Sequence, residues 1–362
     1  MVDRSLRSVC SVCELNGYDV IMNLMKRLLL VLFVALLGVT AIHAGTPEVQ
    51  SVYDTKDALP AFENNNVLVV FASDENYAMP LGVTIQSLMD NSSIRNNYDI
   101  WVLDSGISDE DKKVIVDLIK GKKNFSIRFF DMSKITEEYK EMFFTSGHIA
   151  VTAYNRLFIP NIFYQYKRAV YLDCDIAVRA DIAELYNVEL EGKSIGAVLD
   201  PVIRENNSEY AKKLLGDSGN EYFNSGVLVF NMEKLLKNNF FGRCIEYLKA
   251  NSEPCFHDQD TLNAVCVGDA QFIDERWNVL SMYWQYAEEK TKSAFVVHYI
   301  GDTKPWNNST LNAADIWWSY AIKTPFYEKI IEKNKLNKRK LERRLVLRKT
   351  SWLDRVMRWF DR

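Results

Sequence analysis

The stretch Ala169–Val178, AVYLDCDIAV, decides how the rest of the chain is interpreted. Its first four residues are apolar and typical of a buried strand. Aspartate is depleted in strands, so Asp173 and Asp175 need a reason. On an extended chain both side chains point to one face, where carboxylates about 4 Å apart repel by about 4 kcal/mol at an effective dielectric of about 20. A divalent cation that prefers oxygen ligands would remove this conflict. The alternative is a strand ending in a turn, with one aspartate capping the next helix.

The composition predicts a folded chain without a general affinity for nucleic acid. The 362 residues suggest one large domain with appendages, or two domains, and 48% hydrophobic residues provide a sizeable core. The formal net charge is −4, so no nucleic-acid partner is expected. The six cysteines do not have the pattern of a disulfide framework.

The first 66 residues are expected to lie outside the main folded domain. Residues 1–23 are an unassigned leader. Residues 24–45 contain two basic residues, an apolar run at Leu28–Ile42 and the small residue Ala44, which together indicate a secretory signal peptide. A signal anchor is the alternative, although the run is short for a span of about 20 residues. Residues 46–66 contain prolines and an asparagine run and are predicted to be a linker.

From Val67 onward, strand and helix patterns alternate. The strand patterns are Val67–Ser73, Ile100–Leu103, Phe125–Phe130, Ala169–Leu172, Ile195–Leu199, Val227–Phe230 and Phe295–Tyr299. The helical patterns are Met79–Met89, a segment beginning at Ser108, Thr152–Ile159 stopping at Pro160, Met232–Leu236, Phe240–Ala250 and a segment beginning near Thr261. This alternation predicts an α/β fold with a mainly parallel central sheet flanked by helices. The chain lacks both common glycine-rich phosphate loops, so a bound nucleotide would need its phosphates neutralised in another way.

Three later segments place polar side chains next to strand patterns. Asn224–Gly226 precedes an apolar run, and could hydrogen-bond a polyhydroxyl ligand or form an ordinary turn. His257–Asp260 precedes the helix predicted to begin near Thr261, and an N-cap explains one of its two aspartates but not both of them and a glutamine. His298 ends a strand and is followed, across a glycine, by Lys304. Histidine is a common metal ligand and lysine a common phosphate binder.

Six segments in this order resemble family 8 of the retaining glycosyltransferases, which contains bacterial lipopolysaccharide galactosyl- and glucosyltransferases and the glycogenins. The segments are ASDENY (72–77), YNRLFIP (154–160), YLDCDIAV (171–178), FNSGVLVFN (223–231), HDQDTLN (257–263) and VHYIGDTKPW (297–306). The resemblance covers about residues 67–306. It implies a GT-A fold, here predicted over residues 67–325, a UDP-hexose donor, and Mn²⁺ as the cofactor, with Mg²⁺ possible.

The resemblance also implies a role for each matching residue. The implied metal ligands are Asp173, Asp175 and His298. The implied donor-binding residues are Ala72, Asp74, Asn76 and Tyr77 for uracil and ribose, Arg156 for the donor, and Gly301 and Lys304 for the diphosphate. The residues implied to line the donor sugar are Asp200, Asn224, Ser225, Asp258 and Gln259. The family often has alanine at the place of Ser225, and this departure bears on donor choice.

Transition-state charge agrees with these roles. Negative charge develops on the leaving diphosphate, where Lys304 and the cation would stabilise it. Positive charge develops on the sugar ring, where the carboxylates of Asp200 and Asp258 would stabilise it. Because a neutral amide is a poor nucleophile, we expect same-face attack with Gln259 positioning the anomeric carbon.

The last segment, residues 326–362, is predicted to be a basic amphipathic tail that associates with a membrane. Lysines and arginines are interleaved with Trp352, Trp359 and Phe360, a pattern typical of a helix on an anionic membrane surface. A solvated charged helix is the alternative. The expected location is therefore membrane-associated, on the cytoplasmic face if the protein is bacterial. The signal-like segment keeps a secretory or lumenal location open.

The expected activity is metal-dependent, retaining transfer of galactose or glucose from a UDP-sugar to a hydroxyl of a glycan or lipid-linked acceptor. One alternative is a sugar-nucleotide pyrophosphorylase, which needs a glycine- and arginine-rich loop that residues 72–76 do not contain. The other is an inactive carbohydrate- or nucleotide-binding protein.

Overall fold

The computed structural model describes residues 50–143, 151–251, 254–281, 287–343 and 345–346. The predicted signal segment, Cys10 and Cys13, and the aromatic residues after 346 lie outside these ranges. The described strands are β1 Ser51–Val52, β2 Asn66–Ser73, β3 Asn97–Asp104, β4 Phe125–Asp131, β5 Arg168–Leu172, β6 Ile176–Val178, β7 Ile195–Leu199, β8 Phe223–Asn231, β9 Ala270–Phe272, β10 Val279–Leu280 and β11 Val296–His298.

The described helices connect these strands and cover them. They are α1 Ala78–Asp90, α2 Asp109–Asp117, α3 Ser133–Tyr139, α4 Ile159–Ile162, α5 Ile182–Tyr186, α6 Pro201–Asn206, α7 Ser208–Leu215, α8 Met232–Lys237, α9 Phe240–Ala250, α10 His257–Val265, α11 Ala287–Ser293, α12 Ala314–Ala321 and α13 Tyr327–Lys333. Short 3-10 turns occur at Thr55–Asp57, Lys140–Met142, Val151–Phe158, Gly216–Glu221 and Glu275–Asn278.

The large sheet has the order β1-β4-β3-β2-β5-β8-β7-β9. Every neighbouring pair is parallel except the two pairs that include β8. The prediction of an α/β fold with a mainly parallel sheet is therefore confirmed. Since parallel strands end at the same edge, the segments that follow β2, β5 and β7 meet there, and ligands commonly bind at this carboxyl edge.

A second, three-stranded sheet has the order β10-β11-β6. Strand β6 follows the Asp-Cys-Asp segment directly, and it pairs antiparallel with β11 so that Ile176 lies opposite His298. The backbone N–H of Tyr299 continues this ladder by donating to the carbonyl of Asp175 at 2.9 Å. This pairing carries the distant His298 to the end of β5.

The core has one layer on each face of the large sheet. Alternate residues of β2 divide between the layers: Val69 and Phe71 pack with α1, α2 and the small sheet, whereas Leu68 and Val70 pack against α4, α9 and α10. Burial on both faces explains why β2 is a continuous apolar run rather than an alternating one.

Three local predictions differ from the structure. The predicted helix Thr152–Ile159 is found as a 3-10 helix at Val151–Phe158, but the helical structure does not stop at Pro160, which lies in the first turn of α4, where its missing N–H has no intrahelical partner to lose. Strand β8 begins at Phe223, so Asn224–Gly226 lie within the strand and not in a turn before it. Helix α10 begins at His257, four residues before the predicted Thr261.

The two ends of the described chain are also more closely packed than the sequence predicts. Residues 51–52, within the predicted linker, form the edge strand β1 beside β4, and Ala58 is fully buried. Within the predicted tail, Phe326, Ile330 and Leu341 belong to the main core. In the described ranges, no helix has the combination of length and hydropathy needed to cross a bilayer.

Candidate active site

A cleft of about 530 Å³ lies at the carboxyl edge of the large sheet. It collects fourteen of the fifteen residues that the sequence analysis singled out. Those residues are Ala72, Asp74, Tyr77, Arg156, Asp173, Asp175, Asp200, Asn224, Ser225, Asp258, Gln259, His298, Gly301 and Lys304. The fifteenth, Asn76, is exposed and lines a neighbouring cavity of about 270 Å³ instead.

The two aspartates face the cleft, and the cysteine between them faces the core. Cys174 is buried in the main core, and its thiol donates to the carbonyl of Ala72 at 3.2 Å. The hydroxyl of Thr84 on α1 donates to the carbonyls of Cys174 and Ile176, at 2.7 and 2.9 Å, and so satisfies buried backbone groups of this turn.

Each aspartate turns one oxygen toward His298 and the other toward a fixed cation. His298 Nε2 lies 3.6 Å from Asp173 Oδ2 and 3.3 Å from Asp175 Oδ1. The opposite oxygens pair with Arg156 Nη2 at 3.0 Å and with Lys304 Nζ at 2.5 Å, respectively. Although burial disfavours the charged form, the ammonium group of Lys304 holds the pKa of Asp175 well below its usual range.

Gly226 leaves room for this cluster. A Cβ built on Gly226 would lie 2.2 Å from His298 Cε1 and 2.6 Å from Asp173 Oδ2, which no side chain could accommodate without displacing them. The backbone of Gly226 also accepts the N–H of Asp173 at 2.8 Å, so β8 extends the pairing of β5 into the cluster. The close approach of β8 thus explains the glycine in the Asn-Ser-Gly segment.

The cluster has the ligand chemistry of a divalent-metal site. One potential ligand atom from each of Asp173, Asp175 and His298 lies within 4.8 Å of the other two. Carboxylate oxygens are ligands typical of Mn²⁺ and Mg²⁺, and an imidazole is a common metal ligand. The residues present therefore fit the ion that the sequence analysis predicted.

Beside the cluster, Asp200 and Gln259 are held by fixed hydrogen bonds. Asp200 Oδ1 accepts the N–H groups of Val202 and Ile203 and caps α6, and its Oδ2 accepts from Asn224 Nδ2 at 3.1 Å and Gln259 Nε2 at 3.2 Å. Gln259 Oε1 accepts the N–H of Ser225 at 2.9 Å. Both ends of the Gln259 amide are therefore engaged by the protein.

Arg156 is the central cation of the cleft wall. It is buried, lies over the ring of Tyr171 at 4.4 Å, and pairs through Nε with Asp258 Oδ2 at 3.0 Å. Its Nη1 donates to the carbonyl and hydroxyl oxygens of Ser225 at 2.6 and 3.1 Å. Burial raises the pKa of Asp258 to about 6, although Arg156 opposes the shift.

The residues after β2 and β11 complete the cleft. Asp74 Oδ1 accepts the N–H groups of Asn76 and Tyr77 at 3.0 and 3.2 Å and so forms the turn into α1. Gly301 has φ of +79°, a conformation that favours glycine, and lies in the turn between His298 and Lys304. Burial raises the pKa of Tyr77 well above its usual range.

The sequence analysis missed three polar residues of this region. Tyr171 donates to Asp173 Oδ1 at 2.7 Å, and Tyr222 donates to Asp260 Oδ1 at 2.7 Å next to Gln259. Asn278 contacts His298, although its sequence context, RWNVL, shows only a polar residue before a short apolar pair. The only sequence signal for a role of Asn278 was that a polar residue comes directly before a strand.

Fold and site together define a GT-A-like glycosyltransferase. Residues 68–310 match the family model described as "Glycosyl transferase family 8". The chain belongs to glycosyltransferase family 8, as the sequence resemblance indicated.

Three known proteins illustrate the relationship. General stress protein A of Bacillus subtilis is 30% identical over 260 residues, which cover 67% of this chain and 88% of that protein. Lipopolysaccharide 1,2-glucosyltransferase of Escherichia coli is 24% identical over 273 residues, covering 72% and 76%. The solved structure of the galactosyltransferase LgtC, in complex with donor and acceptor sugar analogs, has a TM-score of 0.62 and 25% identity, covering 71% of this chain and 96% of LgtC.

Proposed function

We propose that the chain is a metal-dependent, retaining hexosyltransferase that moves galactose or glucose from a UDP-sugar to a hydroxyl of a glycan or a lipid-linked acceptor. The observation that carries this proposal is the grouping of Asp173, Asp175 and His298 within 4.8 Å at the carboxyl edge of the sheet. Family membership and the galactosyl- and glucosyltransferase names of two similar proteins support the choice of hexose.

On the leaving-group side, the cleft holds the ammonium group of Lys304 in a fixed position. Lys304 Nζ is fixed by Asp175 and by the carbonyl of Tyr299 at 2.8 Å, so its ammonium group is positioned before a diphosphate arrives. Fixed cations in a partly dry cleft stabilise developing negative charge without reorganising. When bound, Mn²⁺ or Mg²⁺ would add Lewis-acid stabilisation of the diphosphate oxygens.

On the sugar side, the side chains suit positioning better than covalent attack. The Gln259 carboxamide oxygen already accepts a backbone N–H, and its nitrogen is bound to Asp200. We therefore assign Gln259 and Asp200 to positioning the donor sugar. The acceptor hydroxyl attacks the anomeric carbon on the face from which the diphosphate leaves, the bond to the diphosphate breaks, and a departing phosphate oxygen takes the proton of the hydroxyl. Asp258 and Asp200 contribute carboxylates that stabilise positive charge on the ring.

We further propose that Ala72, Asp74 and Tyr77 hold uracil and ribose, with Asn76 acting from the rim. Gly301 would let the backbone approach the diphosphate closely. Ser225 replaces the family's usual alanine, and its hydroxyl lies against Arg156, so it would bear on donor choice through the guanidinium.

The test is nucleotide release from purified full-length protein. With Mn²⁺ and UDP-galactose or UDP-glucose, we expect slow release of UDP into water, faster release when an acceptor is added, and none in EDTA. Release that persists in EDTA would contradict the metal dependence. Formation of UTP and a sugar 1-phosphate only when pyrophosphate is added would instead identify a pyrophosphorylase. Binding of the UDP-sugar without any turnover would identify an inactive protein.

For the acceptor, we propose a lipid-linked glycan at an anionic membrane surface. The described part of the basic tail exposes Lys335, Lys338, Arg339, Lys340 and Arg343, while Leu341 on the same segment is buried in the core. The exposed cations supply the electrostatic attraction expected at an anionic leaflet. The location is then membrane-associated and cytoplasmic in a bacterium, and a lumenal location stays open because of the signal-like segment.

Because Phe326, Ile330 and Leu341 are core residues, deleting the tail from residue 326 would disturb the fold. Charge substitution in the intact chain is a cleaner test. A triple variant should bind more weakly to vesicles containing phosphatidylglycerol, with the binding free energy reduced by about 1 kcal/mol for each charge near the surface. Its substitutions are Lys335→Ser, Lys338→Ser and Lys340→Ser. Unchanged binding at low salt would contradict the proposal.

A further inference from the structure

A row of buried side-chain amides connects His298 to the sugar side of the cleft. His298 Nδ1 lies 2.9 Å from Asn278 Oδ1, and Asn278 Nδ2 donates to Asn224 Oδ1 at 2.8 Å. Asn224 Nδ2 donates in turn to Asp200 Oδ2 at 3.1 Å. All four residues are buried, with 3% to 7% of each exposed.

The orientation of each amide in this row is fixed by groups that can act in only one way. The backbone N–H of Gly226 can only donate, and it reaches Asn224 Oδ1 at 3.0 Å. At the other end of the same amide, an ionised Asp200 carboxylate can only accept. Asn224 therefore presents its oxygen to Asn278, which must present its nitrogen to Asn224 and its oxygen to His298.

We propose that Asn278 is a positioning residue that sets the tautomer of His298. Facing an amide oxygen, Nδ1 must carry the proton, and the lone pair is left on Nε2, the atom that faces Asp173 and Asp175. Metal-binding imidazoles are commonly oriented in this way through the nitrogen that is not a ligand. This inference rests on the proposed metal site, and it adds a residue that the sequence analysis did not select.

The row also joins the two halves of the proposed site. Asp200 is bonded to both Asn224 and Gln259, so the group that positions the sugar and the imidazole that faces the carboxylates share one hydrogen-bonded chain. A substitution at Asn278 is therefore expected to affect metal affinity first, while the bonds of Gln259 to Asp200 and Ser225 stay in place.

The first measurement reads the tautomer in the wild-type protein. Histidine-labelled full-length protein contains four histidines, and long-range ¹H–¹⁵N correlation assigns the protonated nitrogen of each, with His298→Gln identifying the His298 signal. At a pH well above the range in which imidazoles titrate, we expect a proton on Nδ1 and none on Nε2 of His298. A proton on Nε2 instead would overturn the proposal.

The second measurement is the Mn²⁺ dissociation constant, from the electron paramagnetic resonance signal of free Mn²⁺. Asn278→Leu should weaken binding about 10- to 100-fold, and Asn278→Asp, which still offers an acceptor to Nδ1–H, should recover part of this loss. Asn91→Ala is the matched control, because it removes three hydrogen bonds of a partly buried asparagine at the C-cap of α1 and should leave Mn²⁺ affinity within twofold.

Mn²⁺ affinity of Asn278→Leu within twofold of wild type would overturn the positioning role. If Asn278→Leu does not fold, the wild-type tautomer and the Asn278→Asp variant carry the test. A wild-type protein with the expected tautomer but no Mn²⁺ binding would leave the amide row standing and overturn the proposed metal dependence, so the two failures are distinguishable.

Discussion

Two groups of acidic side chains lie at opposite edges of the large sheet, one fully buried and one facing the cleft, and they differ in how their oxygens are satisfied. At the amino edge, Arg128 Nη2 donates to both oxygens of Asp99 at 2.7 and 2.8 Å, and Oδ2 also accepts from Tyr166 and from the N–H of Ala61. Arg128 also lies 4.0 Å over the ring of Trp101. At the carboxyl edge, Asp173 and Asp175 each keep one oxygen turned toward a shared point.

The difference separates a structural ion pair from a candidate ligand site. Asp99 is fully enclosed, and its charge is balanced within the protein. Asp173 and Asp175 meet Arg156 and Lys304 on one side only, which leaves two carboxylate oxygens and an imidazole nitrogen facing one another. A buried charge that the protein itself neutralises belongs to the folded structure. Carboxylates that face a common centre repel each other, and a bound cation would neutralise them.

The largest expected effect concerns activity. Asp173→Asn keeps an oxygen for Arg156 and Tyr171 but removes the charge that faces His298. We expect turnover of UDP-hexose to fall about 10³-fold, which corresponds to about 4 kcal/mol of transition-state stabilisation. The reason is that the metal ion loses an anionic ligand, and the leaving group then loses stabilisation by the ion. The measurement is Mn²⁺-dependent UDP release. The control is Asp269→Asn, which removes a carboxylate paired with Lys234 outside the cleft and should keep normal turnover.

The second prediction concerns stability, where the substitution at the amino edge has the large effect. Asp99→Ala leaves Arg128 buried without its partner, so we expect the free energy of unfolding to fall by about 3 kcal/mol or more. Urea denaturation of the metal-free protein measures this change. Asp117→Ala, which breaks only an exposed pair with Lys113, should change it by less than about 1 kcal/mol. Equal effects of the two substitutions would show that burial does not distinguish them.

The third prediction concerns metal removal. If Mn²⁺ binds the folded protein alone, a concentration 100 times the dissociation constant should raise the free energy of unfolding by about 2.7 kcal/mol. EDTA should abolish this gain, and Asp173→Asn should reduce it. A gain of the same size in Asp173→Asn, measured by denaturation at the same free Mn²⁺ concentration, would place the ion elsewhere.

The smallest expected effect concerns one hydrogen bond to the buried carboxylate of Asp99. Tyr166→Phe removes one hydroxyl donor from Asp99 while Arg128 and the Ala61 N–H remain, so we expect a loss of about 1 kcal/mol of unfolding free energy. Because the two edges share no side chain, the Mn²⁺-dependent gain should be unchanged in this variant. A calorimetric comparison with and without Mn²⁺ would detect any coupling.

The carboxyl edge was predictable from sequence because it breaks local rules. Two aspartates inside an apolar stretch, and a histidine and a lysine on either side of a glycine turn, conflict with strand propensity, and such conflicts often mark functional sites. The parallel sheet followed equally directly from the alternation of apolar runs and helical patterns.

What sequence could not supply depends on long-range pairing. Asp99 occurs in a stretch, NYDIWVLD, whose other residues look like an ordinary strand, and its partners Arg128 and Tyr166 are 29 and 67 positions away. Asn278 has an equally plain context, and its importance arises only because β10 and β11 pair beside β6. Local pattern does not contain this information.

The burial of the segment after Pro325 affects how the protein would meet a surface. Phe326 packs so closely over α1 that a Cβ on Gly82 would lie 2.4 Å from its ring, and Lys329 is paired with Asp111 at 2.8 Å. The cationic residues just beyond this segment are thus joined to the main fold by packed side chains and not by a flexible linker. Docking through them would therefore set the direction in which the cleft of the described fold faces.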